Sequence, residues 1–232
     1  RARRCGWFSA QQLGMLLLEK ARRNGITLRQ ERLVGVETRG GRVHSVQLSG
    51  GERIDTPIFI NAAGPLLKRV ARMLDVDLPV YHELHMKASM KDNLGIVPRA
   101  APLTVWLDSQ HLPWQDDERA LLAEEPELAF LLGELPGGSH TRPEGSGGSQ
   151  VLLYLWEYKT DVFEEPVFPP PLDNQYGELA LRGLLPAIPG LAAYLDKFSR
   201  PWLDGGYYTR TRENRLLAGP LPVQGAYVLG AL

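Results

Sequence analysis

The feature that most constrains the fold is a short apolar run that ends in small residues. Ile58, Phe59 and Ile60 are followed by Asn61 and then by Ala-Ala-Gly-Pro. A continuous apolar run of this length is typical of a strand buried on both faces, which predicts a position in the centre of a sheet. Small residues at the carboxyl end of such a strand let another backbone or a flat ligand approach closely. Turn chemistry is the simpler explanation, since a glycine before a helix often only ends a strand.

Composition bounds the kind of protein that this chain can be. Its 232 residues are 44% hydrophobic and 23% charged, which suffices for one large core or two modest ones. A formal net charge of -1 gives no positive field for nucleic acid or for an anionic membrane surface, so we expect neither partner. The longest apolar run, residues 15–18, is far shorter than the roughly 20 residues of a membrane span, and we expect no such span.

The cysteine content and the ends of the chain give two further expectations. Cys5 is the only cysteine, which excludes an internal disulfide and a metal site of several cysteines and fits a reducing, cytoplasmic setting. No signal-peptide pattern follows the basic residues 1–4. We expect both ends to be cuts, because residue 1 is not methionine and residues 227–232 form an uncapped apolar strand pattern.

Helix and strand patterns alternate in the first third of the chain. Ser9 and Gln12 form a capping-box pattern before apolar positions at helical spacing, which predicts a helix with one buried face that ends near Gly25. A second helix is predicted over residues 66–74. Short strand patterns, most of them separated by glycine pairs, lie at residues 26–30, 33–38, 42–48 and 53–56.

From residue 79 onward the pattern changes to that of a mainly antiparallel sheet. Alternation predicts strands over residues 81–90 and 151–158, and the second of these places Tyr154, Trp156 and Tyr158 on one face. The sequence Gly-Ser-Gly-Gly-Ser at residues 145–149 predicts an exposed, flexible loop. A second domain therefore begins near residue 79.

Two histidines on the first of these strands invite a metal or general-base interpretation. His82 and His85 lie three positions apart, so on a strand they point to opposite faces. They are then badly placed to bind one metal ion, and we expect no metal site.

Several motifs occur in one order along the chain. They are Gly-Trp-Phe at residues 6–8, Gly25 before a strand pattern, Leu-Val-Gly-Val at 33–36, Gly-Arg-Val-His-Ser-Val at 41–46, Ile-Asn-Ala-Ala-Gly-Pro at 60–65, the Tyr-Tyr-Thr-Arg to Gly-Pro run at 207–220, and Gly-Ala-Tyr-Val-Leu-Gly at 225–230. In this order they resemble the FAD-dependent amine oxidoreductases of the D-amino-acid oxidase, glycine oxidase and sarcosine oxidase type. The chain lacks that family's N-terminal GxGxxG loop and its C-terminal flavin loop.

The resemblance implies an α+β fold with a discontinuous FAD-binding domain. A partial Rossmann-like domain would comprise residues 1–78 and, returning, residues 211–232. An antiparallel-sheet substrate domain would comprise residues 79–210 between them.

The resemblance also implies that FAD is contacted mainly by backbone atoms. The matching positions are Leu33 and Val34 at the adenine edge, Ala62, Ala63 and Gly64 near the dinucleotide, and Gly230 before the flavin-contacting loop. Strand packing is the simpler interpretation of each, because backbone contacts leave no side-chain signature.

Four side chains match strands that face the flavin ring and the substrate in the family, namely Tyr154, Tyr158, Tyr208 and Arg210. The planar guanidinium of Arg210 is the candidate to bind a substrate carboxylate, with Arg212 as the neighbouring alternative. Tyr208 lies on the same strand face as Arg210 and adds a phenolic hydrogen bond. A surface arginine beside a core tyrosine is the competing interpretation.

By resemblance, the reaction is the FAD-dependent oxidation of a small amine or amino acid to an imine, with oxygen or another carrier as electron acceptor. Sarcosine-oxidase-like members carry an oxygen-activating lysine at a position that aligns with Tyr154, which favours a dehydrogenase. His85, Lys87 and Glu157 are further candidates to line the pocket. A flavin enzyme for a hydroxy acid and an incomplete fragment that acts as an interaction subunit stay as alternatives.

Overall fold

A computed structural model of the chain describes residues 6–145, 150–195 and 200–231. Cys5 and all but the first residue of the predicted loop at residues 145–149 lie outside the described residues. Within the described ranges, no helix combines the length and hydrophobicity that crossing a bilayer requires.

The chain folds as two units with mixed α/β structure and mostly antiparallel sheets. The first unit comprises Arg1–Val80 and Thr209–Leu232, and the second comprises Tyr81–Tyr208. The boundaries expected from the sequence lie after residues 78 and 210, and the cofactor and substrate roles assigned to the parts stay predictions.

The first unit begins with helix α1, Ala10–Arg23. The backbone N–H of Gln12 donates to Ser9 Oγ at 3.2 Å, so the predicted N-cap is confirmed. The expected buried face is wrong, because no residue of α1 is buried and Met15 is 66% exposed. The apolar residues do repeat at helical spacing, but none of the described elements buries them.

A three-stranded antiparallel sheet follows, with β1 at Leu33–Arg39, β2 at Arg42–Leu48 and β3 at Arg53–Asp55. Gly40 and Gly41 join β1 to β2 with φ of 56° and 76°, the left-handed conformation that a two-residue hairpin turn requires. The predicted meander is therefore confirmed. Residues 26–30 belong to no strand, so the strand expected there is wrong.

The apolar run at residues 58–60 contributes to a short edge strand. Strand β4, Phe59–Asn61, pairs in parallel only with β12, Ala226–Gly230, and β12 pairs on its other side with β11, Leu217–Pro220. The predicted central position is wrong within the described sheet, because β4 has a partner on one side only. Ile60 is accordingly 60% exposed.

Asn61 organises the turn that follows β4. Its side chain is buried, and Nδ2 donates to the Leu67 carbonyl at 2.9 Å while Oδ1 accepts from the Ala63 N–H at 3.3 Å. The chain then enters a helical segment made of a 3₁₀ turn, helix α2 and a second 3₁₀ turn, which confirms the predicted helix. Their bounds are Gly64–Leu66, Leu67–Ala71 and Arg72–Leu74.

The second unit is built on a six-stranded sheet. The strands are β5 at Val80–Lys91, β6 at Thr104–Trp106, β7 at Ser139–Glu144, β8 at Val151–Leu155, β9 at Asp161–Phe163 and β10 at Trp202–Thr211. Their spatial order is β10, β5, β8, β7, β6, and β9 also pairs with β5.

One face of this sheet carries the core of the second unit. The twelve residues of β5 alternate between buried and partly exposed positions, with Leu84, Met86 and Ala88 on the buried side. The helices of this unit are α3 at Asp116–Glu124 and α4 at Tyr176–Arg182, with 3₁₀ turns at Ala129–Leu132 and Pro189–Tyr194. Leu179, Ala180 and Leu181 of α4 join the residues of β5 in this core.

Gly183, directly after α4, allows the chain to lie against an indole ring. A Cβ added at this position would lie 2.5 Å from Cε3 of Trp156. Trp156 is fully buried, and its Nε1–H donates to the Pro136 carbonyl at 3.0 Å. The ring therefore has no room to withdraw.

Gly183→Ala should lower the free energy of unfolding by about 1–3 kcal/mol, because the added methyl overpacks a fixed ring. Gly14→Ala in α1 is the matched control, since a Cβ there meets nothing within 4 Å. The control should raise helix stability by about 1 kcal/mol. Urea unfolding followed by circular dichroism measures both, and equal stability of wild type and Gly183→Ala would contradict the described packing.

Candidate functional site

The face of the six-stranded sheet opposite the core carries charged and aromatic side chains. On β5, Glu83, His85 and Lys87 are partly exposed and alternate with the buried Leu84 and Met86. Of these, His85 and Lys87 line a cavity of about 340 Å³. The polar residues and the exposed tyrosine that line it are His85, Lys87, His140, Glu157, Asp204 and Tyr208.

His85 has a carboxylate at each ring nitrogen. Its Nδ1 lies 3.1 Å from Glu157 Oε1, and its Nε2 lies 3.3 Å from Glu83 Oε2. A neutral imidazole has only one N–H to donate, whereas an imidazolium has two, so this geometry favours the charged ring. The hydrogen bond with Glu157 raises the pKa of His85 above its usual value and outweighs the opposing effect of burial.

The pKa of Glu157 shifts in the opposite direction to that of His85. Burial alone would raise the pKa of its carboxyl, but the hydrogen bond and the charge of His85 outweigh burial and leave that pKa below its usual range. The 3.1 Å contact and the directions of both pKa shifts favour a charge-assisted pair in which His85 donates and Glu157 accepts.

Tyr208 of β10 covers the His85 ring. The two ring centroids lie 4.2 Å apart with an interplanar angle of 39°, and Tyr208 is 49% exposed. An imidazolium beside an aromatic face gains a cation–π interaction in addition to van der Waals contact.

The second cation of the cavity is also paired. Lys87 Nζ lies 2.8 Å from Asp204 Oδ2, and the hydrogen bond from Lys87 lowers the pKa of the Asp204 carboxyl. These two residues and the His85 cluster place three carboxylates and two cations on this face of the sheet.

Tyr154 and Tyr158 lie on the other face of the sheet, so the structure corrects the position expected for them. Tyr154 is fully buried in the core, and Tyr158 is 6% exposed in the same cluster. The cause is strand alternation: the even-numbered aromatic residues pack on the core side, and Glu157, between Trp156 and Tyr158, points to the cavity side. His85, Lys87 and Glu157 line the described cavity, and its assignment as the substrate pocket stays a prediction.

The Tyr154 hydroxyl has no hydrogen-bond partner within the described ranges of the chain. Among the described residues, none accepts or donates a hydrogen bond at its buried Oη, and burial raises the pKa of this phenol. Tyr158 Oη, in contrast, lies 3.4 Å from Asp173 Oδ2. Neither hydroxyl is placed to orient a molecule in the cavity.

Arg210 follows Tyr208 by two positions on β10 and belongs to the first unit. Its Nη1 donates to Asn214 Oδ1 at 2.6 Å, and the side chain is half-buried. Arg212 is exposed. His82 is buried, while His85 lines the cavity, which confirms that the two histidines point to opposite faces of β5.

The small residues expected to contact FAD lie at the carboxyl end of the parallel pair β4 and β12. Ala62 is exposed, and Ala63 and Gly64 are half-exposed. Gly64 has φ of 55°, and a Cβ added there would meet only open space. Residues 62–64 carry side chains no larger than a methyl group, which fits the close approach of a dinucleotide to their backbone.

Gly230, also expected to contact FAD, packs closely against α2. It is buried at the end of β12, and an added Cβ would lie 2.2 Å from Cδ1 of Leu67, which is fully buried. Close packing of α2 on the strand thus accounts for this glycine.

Leu33 and Val34, the remaining cofactor candidates, begin β1. Val34 is 48% exposed at a bulge, because the pairing register shifts between Leu33 and Gly35. Bulges of this kind occur preferentially near functional sites and redirect a side chain.

The chain belongs to a family of flavoenzymes. The sequence model of the family DAO, described as FAD dependent oxidoreductase, matches residues 1–119, which is more than half of the chain. The cofactor of this family is FAD. No protein in a curated set matches the chain significantly.

Several solved structures share the fold of this chain. L-proline dehydrogenase from P. horikoshii is 12% identical with a TM-score of 0.61, over 95% of this chain and 49% of that one. Glycine oxidase from Geobacillus kaustophilus is 13% identical with a TM-score of 0.57, over 96% of this chain and 49% of that one. NikD, an amino acid oxidase essential for nikkomycin biosynthesis, is 14% identical with a TM-score of 0.67, over 97% of this chain and 52% of that one. The chain spans about half the length of these proteins, and at such identities the likeness concerns the fold alone.

Tyr154→Phe should leave the free energy of unfolding unchanged or raise it by up to about 1 kcal/mol, because the removed hydroxyl is buried without a partner among the described residues. Tyr176→Phe is the matched control. Tyr176 Oη donates to the Met86 carbonyl at 2.6 Å and accepts from the Trp156 N–H at 2.9 Å. Its loss should cost about 2 kcal/mol, since two buried backbone groups lose their partner.

Thermal and urea unfolding of the two variants provide the comparison. A loss of stability in Tyr154→Phe as large as that in Tyr176→Phe would show that the Tyr154 hydroxyl has a partner after all.

Proposed function

We propose that the protein to which this chain belongs oxidises a small amine or amino acid to an imine with FAD. The observation that supports this most directly is the charged and aromatic cavity on the sheet of the second unit, in a member of the FAD-dependent oxidoreductase family. Bound FAD supplies the hydride acceptor in such chemistry. The residues of the protein then have to bind the substrate, orient its carbon–hydrogen bond and exclude water.

The first unit is proposed as a partial Rossmann-like FAD-binding domain, formed by residues 1–78 and 211–232. The parallel strands β4 and β12 support this, because ligands of α/β sheets bind beyond the carboxyl ends of parallel strands. Ala62, Ala63 and Gly64 are proposed to face the dinucleotide, and the backbone at Leu33 and Val34 to contact the adenine.

The second unit, residues 79–210 in the sequence-based division, is proposed as the substrate domain. The Tyr208 ring lines its cavity, and the two cations of the cavity are held by carboxylates. Arg210 is proposed as the carboxylate-binding residue on its position in β10, two residues beyond Tyr208 on the same side of the strand.

Anaerobic flavin reduction tests the proposal. The full-length protein should bind FAD, and glycine, sarcosine, proline or a D-amino acid should bleach its visible flavin absorbance in the absence of oxygen. A colourless protein that takes up no FAD would contradict the cofactor assignment. Reduction by hydroxy acids but by none of the amines would contradict the substrate class.

Arg210→Met should raise KM for an amino acid by roughly 10- to 100-fold, because a hydrogen-bonded charge pair with the carboxylate is lost. KM for the corresponding amine without a carboxylate should not change. Arg212→Met is the matched comparison, since Arg212 is the neighbouring arginine and is exposed. The same KM increase in Arg212→Met and not in Arg210→Met would move the carboxylate contact to Arg212.

A further inference from the structure

The cavity of the second unit is lined by two histidines whose ring nitrogens have different contacts. His85 has Glu157 at Nδ1 and Glu83 at Nε2, at 3.1 and 3.3 Å, so both of its nitrogens are engaged. His140 Nδ1 lies 2.8 Å from the carbonyl oxygen of Gly138. In the part of the chain that the structure describes, no group forms a hydrogen bond with His140 Nε2. His140 is therefore the histidine whose Nε2 is left for a bound molecule.

The Gly138 carbonyl fixes which nitrogen of His140 carries the proton. A carbonyl oxygen only accepts hydrogen bonds, so the Nδ1 beside it must be the N–H. In the neutral ring the other nitrogen, Nε2, then has a lone pair. The nitrogen that has no partner within the described ranges is thus the one that accepts a proton.

The surroundings of His140 are electrostatically suited to a proton acceptor. His140 pairs with Val105 of β6 and Leu155 of β8, and neither carries a charge. On β7 itself, Arg142 and Glu144 follow on the same face and pair with each other at 2.8 Å. The titratable side chains that share the cavity, from β5, from the end of β8 and from β10, are His85, Lys87, Glu157, Asp204 and Tyr208. Both cations among them are paired with carboxylates, so a proton on His140 meets little unbalanced positive charge.

The cavity has a suitable size for a small amine. Its volume of about 340 Å³ lies at the lower end of the roughly 300–1,000 Å³ that small-molecule sites occupy. His140 is half-buried at its wall, and Leu155 of the neighbouring strand contributes an apolar surface. A small amine bound there lies beside the His140 ring.

The proposed oxidation needs a group that takes a proton from its substrate. An aliphatic amine is mostly an ammonium ion at neutral pH, as a lysine side chain is with its ordinary pKa of about 10.4. An ammonium nitrogen has no lone pair, so it cannot form the second bond to carbon as the hydride leaves. The substrate must therefore lose a proton before or during hydride removal.

We propose that His140 is a catalytic residue that accepts a proton from the substrate ammonium at Nε2. The substrate N–H bond breaks, its electron pair stays on the substrate nitrogen, and the proton forms a new bond to Nε2. The results are a neutral amine and an imidazolium whose Nδ1–H still donates to the Gly138 carbonyl. Proton transfer changes no oxidation state, so the step needs no further reactant. The inference rests on the proposed function, because it assigns His140 a step in amine oxidation.

His140→Asn separates proton transfer from a structural role. The asparagine amide donates to the Gly138 carbonyl as Nδ1 does, but it has no basic nitrogen. Anaerobic flavin reduction is measured on the full-length holoenzyme with whichever of glycine, sarcosine and proline reduces the wild type. At about pH 7, kcat/KM for reduction should fall by about 10²- to 10⁴-fold, the usual contribution of a general base. His111→Asn replaces an exposed histidine outside the cavity and should match the wild type.

The pH dependence of this deficit distinguishes a proton acceptor from a structural residue. The deficit of His140→Asn should shrink as the pH approaches the pKa of the free substrate amine, because a substrate that arrives neutral has no proton to give. A structural loss would be the same at every pH. A constant deficit, or no deficit at all, overturns the proposal.

Nitrogen NMR of the histidine rings gives a readout that needs no turnover. In the free holoenzyme, the neutral His140 ring should carry its proton at Nδ1 and have an unprotonated Nε2. The signal is assigned by its loss in His140→Asn. A neutral ring with the proton at Nε2 overturns the proposal, because that nitrogen would have no lone pair for the substrate proton.

The outcomes separate the two proposals. Identical pH profiles of wild type and His140→Asn overturn the role of His140 and leave the proposed function intact, because the flavin is still reduced. A wild type that binds FAD but is reduced by none of the amines overturns both. If His140→Asn does not fold, His140→Gln replaces it, and the same pH-dependent deficit is expected.

Discussion

The alternation of side chains along β5 is the constraint on which the rest of the second unit depends. Burying Leu84 or Met86 stabilises the fold by about 1.5–3 kcal/mol for each side chain, whereas an exposed ion pair contributes about 0–1 kcal/mol. The core therefore sets the register of β5, and the cavity residues follow from it. A slip of one residue would bury Glu83, His85 and Lys87 and expose the apolar set. Since β5 pairs with β8, β9 and β10, its two faces become the two faces of the sheet.

Local patterns predicted much of this unit, but not which face of β8 is buried. Alternation correctly separated Tyr154, Trp156 and Tyr158 from Glu157, and it separated His82 from His85. From the sequence alone, the aromatic face of β8 could either pack in the core or contact a flat ligand. It packs in the core, where the hydroxyl of Tyr176 from α4 bonds to the backbone of Trp156 and Met86. Contacts between residues so far apart in sequence have no local signal, and the pairing of His85 with Glu157 is of the same kind.

The first unit shows where an apolar pattern misleads. The run from Ile58 to Ile60 has the composition of a central strand, yet burial depends on the number of neighbouring strands, which composition does not encode. The turn after β4 is predicted more easily, because the hydrogen bonds of Asn61 that form it join residues close in sequence. Gly230 was assigned to the cofactor by resemblance, while its contact with Leu67 shows that helix packing already requires a glycine there.

The two carboxylates at the His85 ring, Glu83 and Glu157, limit the chemical reactivity of the imidazole. An imidazolium with both nitrogens protonated has no lone pair on the ring with which to attack an electrophile or to bind a metal ion. His85 is thus a poor nucleophile in spite of its accessible cavity. One of the two histidines that invite a general-base interpretation is thus surrounded by neighbours that favour the least reactive form of an imidazole ring.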